Sequence, residues 1–449
     1  MEPGTVAVLR INLINSSAMR KRLLLAGAAL MLASALHAQA KDGVPDQELV
    51  PQREMPKVAP REEIPLALRW LMHPTKRGMM LNLPVVDTDP NRGTTAGIMP
   101  IWVIREDGTD RIKHIHAPSL TYNKDFGPIA TYRYYLYPEP DSSLIVRGAA
   151  GKYEHEALAQ FEDASFLDTE LDLALRLWDN IESGPRFFGI GPDTPKKRET
   201  NYKDDYLQYR VTVGAPLSPR NRWRAHISDR LTADKITNGP IPGLPGFADT
   251  FPGLAAAGRR QNHELRLILD YDSRNHGVTT SRGAYLQTFA EYSVKSLASM
   301  EEFSRYGLDA RYFHPWGGNP QRVAAAQLKF EQLLGDAPFW LMPRLGGKYT
   351  LRSYGEGRYT DRGLITANVE QRFTVYQAKM AGVATEFEAA PFAGLGTVFN
   401  GPERMARRYA RPVVGLATRA VARPQVVGSI DFGVGQEGVA VFMDINYSF

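Results

Sequence analysis

The chain has 449 residues, a net charge of +5 and no cysteine, which excludes disulfides, thiolate metal sites and thiol catalysis. A mean hydropathy of −0.32 excludes a bundle of membrane helices but not a membrane barrel, whose strands are only half apolar. Lys and Arg are dispersed rather than massed on one segment, so the basic balance does not describe a nucleic-acid binder.

Met19-Arg20-Lys21-Arg22 is a short basic start, Leu23 to Leu36 an apolar run, and Ala38-Gln39-Ala40 a small-x-small cleavage site. This order predicts a signal peptide over residues 1–40, cut near Ala40, with Met19 as an alternative start. The apolar run is shorter than the ~20 residues of a spanning helix, and no later run approaches that length. The mature chain is expected to be exported without a transmembrane helix. Lys41 stands where a lipoprotein would carry cysteine.

Residues 41–93 carry Pro45, Pro51, Pro56, Pro60, Pro65 and Pro74 among charges, which predicts an extended periplasmic linker. Within it, Ile64 to Met72 reads as one short amphipathic turn or helix.

From Thr94 the pattern changes to period 2. Leu167, Thr169, Leu171, Leu173, Leu175 and Leu177 alternate with charged and small residues. So do Leu207, Tyr209, Val211 and Val213; Trp223, Ala225 and Ile227; and Ile365, Ala367, Val369, Phe373 and Val375. A helix would scatter these residues, whereas a strand puts them on one face. Soluble sandwiches also alternate. The export signal and the tyrosines near strand ends (Tyr132, Tyr134, Tyr135, Tyr137) favour a membrane wall with a lipid-facing exterior and a polar lumen. Residues 94–449 have room for about 16 strands at ~10 residues each plus connections. The predicted class is all-β, a transmembrane antiparallel β-barrel. The Gly/Pro-rich stretch Thr232–Arg260 reads as an extracellular loop.

His114-Ile115-His116 puts two imidazoles on one strand face, but nothing else has ligand spacing, so no metal or other cofactor is expected. No G-x-S-x-G nucleophile motif occurs, and no catalytic residue is assigned. Gly189-Ile190-Gly191 lacks the remainder of a nucleotide loop. Asp270, Asp272 and Arg274 close a strand ahead of Gly283. The carboxyl end alternates Val439, Val441, Met443, Ile445, Tyr447 and Phe449 against Ala440, Phe442, Asp444, Asn446 and Ser448.

Between two alternating stretches lies Leu345-Gly346-Gly347-Lys348-Tyr349-Thr350-Leu351-Arg352-Ser353-Tyr354-Gly355-Glu356-Gly357-Arg358. It is too Gly-rich and charged for a strand, and reads as a loop that folds back and docks. The run resembles the inward-folded loop of the BamA/TamA-type outer-membrane barrels, the bacterial surface antigen family. Ser353 replaces that family's glycine. The Asp270/Asp272/Arg274/Gly283 set resembles a second family signature, and Arg186 to Thr194 a family segment near mid-barrel. Ile445, Tyr447 and Phe449 resemble the terminal signal by which such barrels are recognised for insertion.

The resemblance implies an outer-membrane barrel that inserts or translocates protein or lipid, seated in the lipid bilayer and inserted by the barrel assembly machinery. It implies that Arg352 docks in the lumen against carboxylates, with Glu370 as one partner. The family's second acidic position falls on Gly394 here, leaving Glu386 or Glu388 as substitutes. The linker is too short and Pro-rich for a POTRA domain, so the chain looks like a member without them. A passive pore or structural surface barrel, and a barrel hydrolase, are the alternatives.

Overall fold

The stretch Gly363–Met380 shows how the sequence builds the wall. Val369 and Val375 are 53% and 63% exposed on one face, while Thr366, Asn368, Glu370 and Arg372 are buried on the other. Period-2 alternation therefore separates a lipid-facing exterior from a charged interior.

A computed structural model of the chain describes residues 72–449 except 110, 220, 256–257, 381–382 and 423–425. The expected signal peptide and the linker up to residue 71 lie outside the described residues. The strands begin with β1 (Met72–Thr75), β2 (Gly78–Asp89), β3 (Gly93–Arg105), β4 (Ile112–His116), β5 (Ser119–Asn123), β6 (Gly127–Leu136), β7 (Ser142–Gly151), β8 (His155–Asp163) and β9 (Asp172–Glu182). After the short β10 (Arg186–Phe187) come β11 (Thr200–Pro216), β12 (Trp223–Asn238), β13 (Arg260–Asp272), β14 (Gly283–Ser293), β15 (Phe303–Pro315) and β16 (Arg322–Gly335). A small hairpin, β17 (Arg344–Leu345) and β18 (Tyr359–Thr360), lies within the next loop. β19 (Gly363–Met380), β20 (Val383–Phe399), β21 (Arg411–Ala422), β22 (Val426–Gly435) and β23 (Gly438–Ile445) complete the sheet.

Each wall strand pairs antiparallel with the next. β4 and β5 are two halves of one wall strand, since both pair with β3 and β6. Pro118 lies between them and cannot donate to the ladder. The result is a closed barrel of 18 strands, in which β23 returns to β2 through Thr88 and Val441.

The wall begins at Gly78, not at Thr94, and this accounts for part of the excess over about 16 strands. β2 hides from a period-2 reading because both its faces are largely apolar from Met79 to Val86. Met79, Leu81, Leu83 and Val85 alternate with Met80, Asn82, Pro84 and Val86, of which only Asn82 is polar. Met79 packs in an apolar cluster with Met99, Ile101, Val103, Ile112 and Ile115.

The leucine series from Leu167 is likewise shorter than its pattern suggests. Phe166–Asp168 is a 3-10 turn with Leu167 at φ 58°, and β9 starts only at Asp172. Tyr132 is outward and exposed, but Tyr135 and Tyr137 pack against the inner apolar cluster instead of joining an external girdle.

Hairpin connectivity sorts the connections to two ends. One end carries the long connections 183–199, 239–259, 336–362 and 400–410, and is called the loop end below. The other, the tail end, carries Met72, the turn 273–282 and residues 446–449. At the loop end Phe187, Tyr202, Phe247, Phe251, Phe303, Phe339 and Trp340 pack into one buried aromatic cluster. Its members come from three loops and the strand ends beneath them.

Candidate functional site

The loop between β16 and β19 runs into the lumen and lies along the inner faces of β19 to β22. Its glycines make the fold possible. Gly346, Gly347 and Gly357 have φ of 121°, 84° and 71°, a region that side chains disfavour. Ser353 is not among the positive-φ residues, so the serine in place of the family glycine fits without strain.

Leu345, Leu351 and Tyr354 bury against Leu364, Phe392, Val398 and Val413 of the wall. The wall meets them with small residues. A Cβ on Gly396 would stand 2.9 Å from Leu345, and one on Gly435 2.2 Å from the Ser353 hydroxyl. Burial holds the phenol groups of Tyr354 and Tyr359 above their ordinary pKa.

Arg352 is 1% exposed. Its Nη1 donates to Glu370 Oε2 at 3.1 Å and to Asp431 Oδ2 at 3.0 Å. The guanidinium also lies over the Phe392 ring, 3.5 Å from its centre. Glu370 is shared. Arg372 Nε reaches it at 2.6 Å, and Arg419 Nη2 at 2.9 Å. Three guanidiniums around one carboxylate, with Asp431 alongside, supply the compensation that buried charge requires.

The second carboxylate is thus Asp431 on β22, not Glu386 or Glu388. Glu388 accepts from the Tyr447 hydroxyl at 2.9 Å, and Glu386 faces Thr374. Gly394, where an acid was expected, leaves room for Asn368 and Leu351.

β23 does not run to the end of the alternation. It stops at Ile445, and Asn446 at φ 143° turns the chain inward. Tyr447 and Phe449 are buried in the lumen, not set on the lipid face. Ser448 Oγ donates to Asp431 at 2.8 Å, Arg372 Nη2 to the Phe449 oxygen at 3.0 Å, and Lys348 Nζ to the Asn446 carbonyl at 3.0 Å. Loop, wall and tail therefore share one charged cluster.

A second clasp holds the loop nearer the loop end. Arg358 Nε reaches both oxygens of Glu437 at 2.8 and 2.9 Å, and Nη2 donates to the Thr194 carbonyl at 3.0 Å. Its guanidinium stacks over Phe188. Gly191 N donates to the Thr360 carbonyl at 2.8 Å. The segment Arg186 to Thr194 is thus a bracket for the docked loop. Asn91, in the turn after β2, donates to the Glu356 carbonyl at 2.7 Å and presses on Gly355.

The residues Asp270, Asp272, Arg274 and Gly283 frame the inward turn 273–282. Arg274 Nη2 pairs with Asp272 Oδ2 at 2.7 Å and lies over Tyr285. Gly283 has φ 113°, and a Cβ there would stand 2.3 Å from the Ser273 carbonyl. The turn reaches the cluster, because Arg372 Nη1 donates to the Thr280 carbonyl at 3.2 Å. Asp270 belongs to a separate strap. His226 Nδ1 meets Asp270 at 2.9 Å, and Nε2 meets Asp172 at 3.0 Å. A Cβ on Gly214 would stand 1.8 Å from that imidazole, so β11 is bare where the strap crosses it.

The strap borders a cavity of about 570 Å³ at the tail end, lined by Arg176, Arg210, Arg224, Arg230 and Arg266 with Glu162, Asp270 and Glu291. His114 and His116 do not converge on a ligand set. Their Nδ1 atoms contact the Tyr134 and Tyr132 hydroxyls at 2.9 and 2.7 Å.

Sequence reasoning missed Asp431, Arg372, Arg419 and the inward tail. Asp431 shares a polar phase with Ser429, a signal that marks the lumen without naming partners, whereas Arg419 shares its inward phase with Val413, Ala417 and Val421 and has no such signal. Nothing local marks Gly214 or His226 as neighbours.

The closing seam is sparse. β2 and β23 share one pairing, Thr88 with Val441, supplemented by Val441 N donating to Thr88 Oγ1 at 3.1 Å. Among the described residues β1 covers only Gly78–Leu81 of the same β2 edge.

Comparison with known proteins places this geometry. The chain resembles BamA from Haemophilus ducreyi lacking POTRA domains 1–3, with a TM-score of 0.51 at 13% identity over 81% of this chain and 73% of that one. It also resembles CdiB from Escherichia coli, with a TM-score of 0.51 at 9% identity over 78% of this chain and 67% of that one. At such identities the likeness is one of fold. No curated protein matches. The profile of the Omp85 superfamily domain matches residues 142–435, and with its closed barrel and docked loop this chain belongs to the Omp85 superfamily.

Proposed function

We propose that this barrel inserts or translocates protein or lipid at the outer membrane by parting the β2–β23 seam. The observation that carries the reading is the seam's single backbone pairing beside a loop buried in the lumen. Neighbouring wall strands share eight or more paired residues in most hairpins, for example Gly428–Gly435 with Gly438–Ile445. A wall held by one rung on one side gives way there first. The docked loop keeps the remaining wall in shape while it does so.

The reading places the protein in the outer-membrane bilayer, with a protein or lipid client and no catalytic role. Ile445, Tyr447 and Phe449 serve the barrel assembly machinery before folding, since Tyr447 and Phe449 are enclosed afterwards. The charged cavity at the tail end favours a second reading, a solute pore. A hydrolase reading finds little support. The imidazoles of His226, His114 and His116 engage carboxylates or phenols.

The test combines gene deletion with a lockable seam. The chain has no cysteine, so Thr88→Cys with Val441→Cys creates the sole pair, at directly opposed strand positions within disulfide reach. Outer-membrane proteomics and surface lipid assays should show selective loss of other barrels, or of lipid asymmetry, in the deletion. The reduced pair should restore the membrane and the oxidised pair should not. An unchanged membrane with altered uptake of small solutes would establish the pore reading instead.

A further inference from the structure

We propose that the cavity at the tail end binds a phosphorylated ligand, seated on Ala174, Thr212 and Ser228 beneath a row of three arginines. The strand register sets the row. Arg176 of β9 stands directly opposite Arg210 of β11, and Arg210 directly opposite Arg230 of β12. Like charges in directly opposed positions destabilise a sheet. The row ends on Gln160 opposite Arg176 and on Glu264 opposite Arg230. Arg230 reaches Glu264 at 3.1 Å and Glu291 at 2.9 Å. Glu291 is shared further, since Arg266 Nε reaches it at 2.7 Å and Arg305 Nε at 3.4 Å.

One step toward the tail end the inner wall becomes small. Ala174, Thr212 and Ser228 stand opposed in turn on the same three strands. They line the cavity together with the three arginines. Long guanidinium side chains beside short ones leave a shelf. Thr212 Oγ1 donates to Ser228 Oγ at 2.8 Å, so Ser228 keeps its own O–H to give. The strap from His226 to Asp172, crossing bare Gly214, bounds the shelf on the tail side. Arg266 stands opposite Ser228 at one end, its guanidinium over the Phe289 ring at 4.3 Å. Glu162 stands opposite Ala174 at the other end, which directs an anion toward Arg210, Arg230 and Arg266.

The arrangement suits a phosphoryl group better than a carboxylate. A carboxylate has two oxygens and fills one guanidinium fork. A phosphate ester spreads about two charges over three oxygens and can engage several forks at once. The cavity, about 570 Å³, also has room for the organic part of such an ester. Binding would offset the repulsion that the opposed arginines carry.

The test titrates the full chain, folded in an uncharged detergent, with inorganic pyrophosphate at fixed ionic strength. Calorimetry should show saturable one-to-one binding, and the urea midpoint should rise with pyrophosphate. Arg210→Gln should weaken binding about tenfold or more, the loss expected of a charge-assisted contact. The same variant should keep or raise the midpoint without ligand, because it breaks up the like-charge row. A purely structural arginine would instead lower the midpoint and leave the affinity of the folded fraction unchanged. Thr212→Glu sets a carboxylate on the shelf itself. It should abolish binding, and it serves alone if Arg210→Gln yields no heat-modifiable barrel. Phosphatidic acid in mixed micelles then identifies the source. Displacement of pyrophosphate by that lipid, and not by phosphatidylcholine, assigns the site to a lipid headgroup, and failure to displace assigns it to a water-soluble phosphate. Absence of saturable binding, or unchanged affinity in either variant, overturns the proposal. The measurement needs neither a client nor an open seam, so it stands apart from the transport reading.

Discussion

Gly433 of β22 faces the backbone of Arg352 so closely that a Cβ would stand 1.5 Å from the arginine's carbonyl oxygen. The loop is seated by backbone proximity as well as by charge. Neither partner can yield easily, because one is a strand and the other is held by two carboxylates. Gly433→Ala is expected to unseat the loop at roughly the 1–3 kcal/mol typical of overpacking. Limited proteolysis within residues 345–358 should accelerate in the folded barrel. Gly148→Ala is the control, since the nearest atom to its added Cβ is 3.8 Å away.

Arg352→Ala should reduce the yield of folded barrel, read by heat-modifiable mobility. Breaking a buried pair costs about 3–5 kcal/mol. Glu370 retains Arg372 and Arg419, so the loss should fall toward the low end. Arg352→Lys should be intermediate, because Nη1 alone meets both carboxylates and an ammonium can take its place, whereas the planar guanidinium stacked over Phe392 is lost.

Gly214→Ala and His226→Ala should share a phenotype, because both break the strap between Asp172 and Asp270. The alanine Cβ would enter the imidazole, and loss of the imidazole leaves the carboxylates of β9 and β13 unbridged across β11 and β12. Each variant should lower the urea midpoint, and the double variant should be less than additive.

Asp361, in the loop before β19, carries a carboxyl whose pKa burial pushes above its ordinary value. Its Oδ1 accepts from Arg362 N at 2.8 Å. The folded state therefore holds a proton more tightly than the unfolded state. Stability gains as pH falls through the raised pKa, and the buried charge costs stability above it. Asp361→Asn keeps the acceptor oxygen and removes the charge. Its urea midpoint should exceed the parent's at alkaline pH, and the advantage should shrink on acidification.

The wall was legible wherever one face is charged. Thr366, Asn368, Glu370 and Arg372 alternate with apolar neighbours, and strand, face and lumen all follow. It was illegible in β2, where Met79 to Val86 is apolar on both faces but for Asn82, because the inner face packs on its own cluster. The loop was legible through its glycines and Arg352, and the placement of Glu370 through its phase. Asp431 was not, because it lies 79 residues from Arg352 and only the register of β22 brings it near. The tail misled by continuing its alternation past the residue that ends the strand. Asn446 is small and polar enough to adopt positive φ, and one such residue redirects three that follow.

The two ends of the barrel differ in kind. Phe187, Phe247, Phe251, Phe339 and Trp340 tie three loops together at the loop end of the barrel. At the opposite end the interior opens into a chamber of arginines and carboxylates. Among the staves of this vessel, β2 and β23 are the two joined by a single peg.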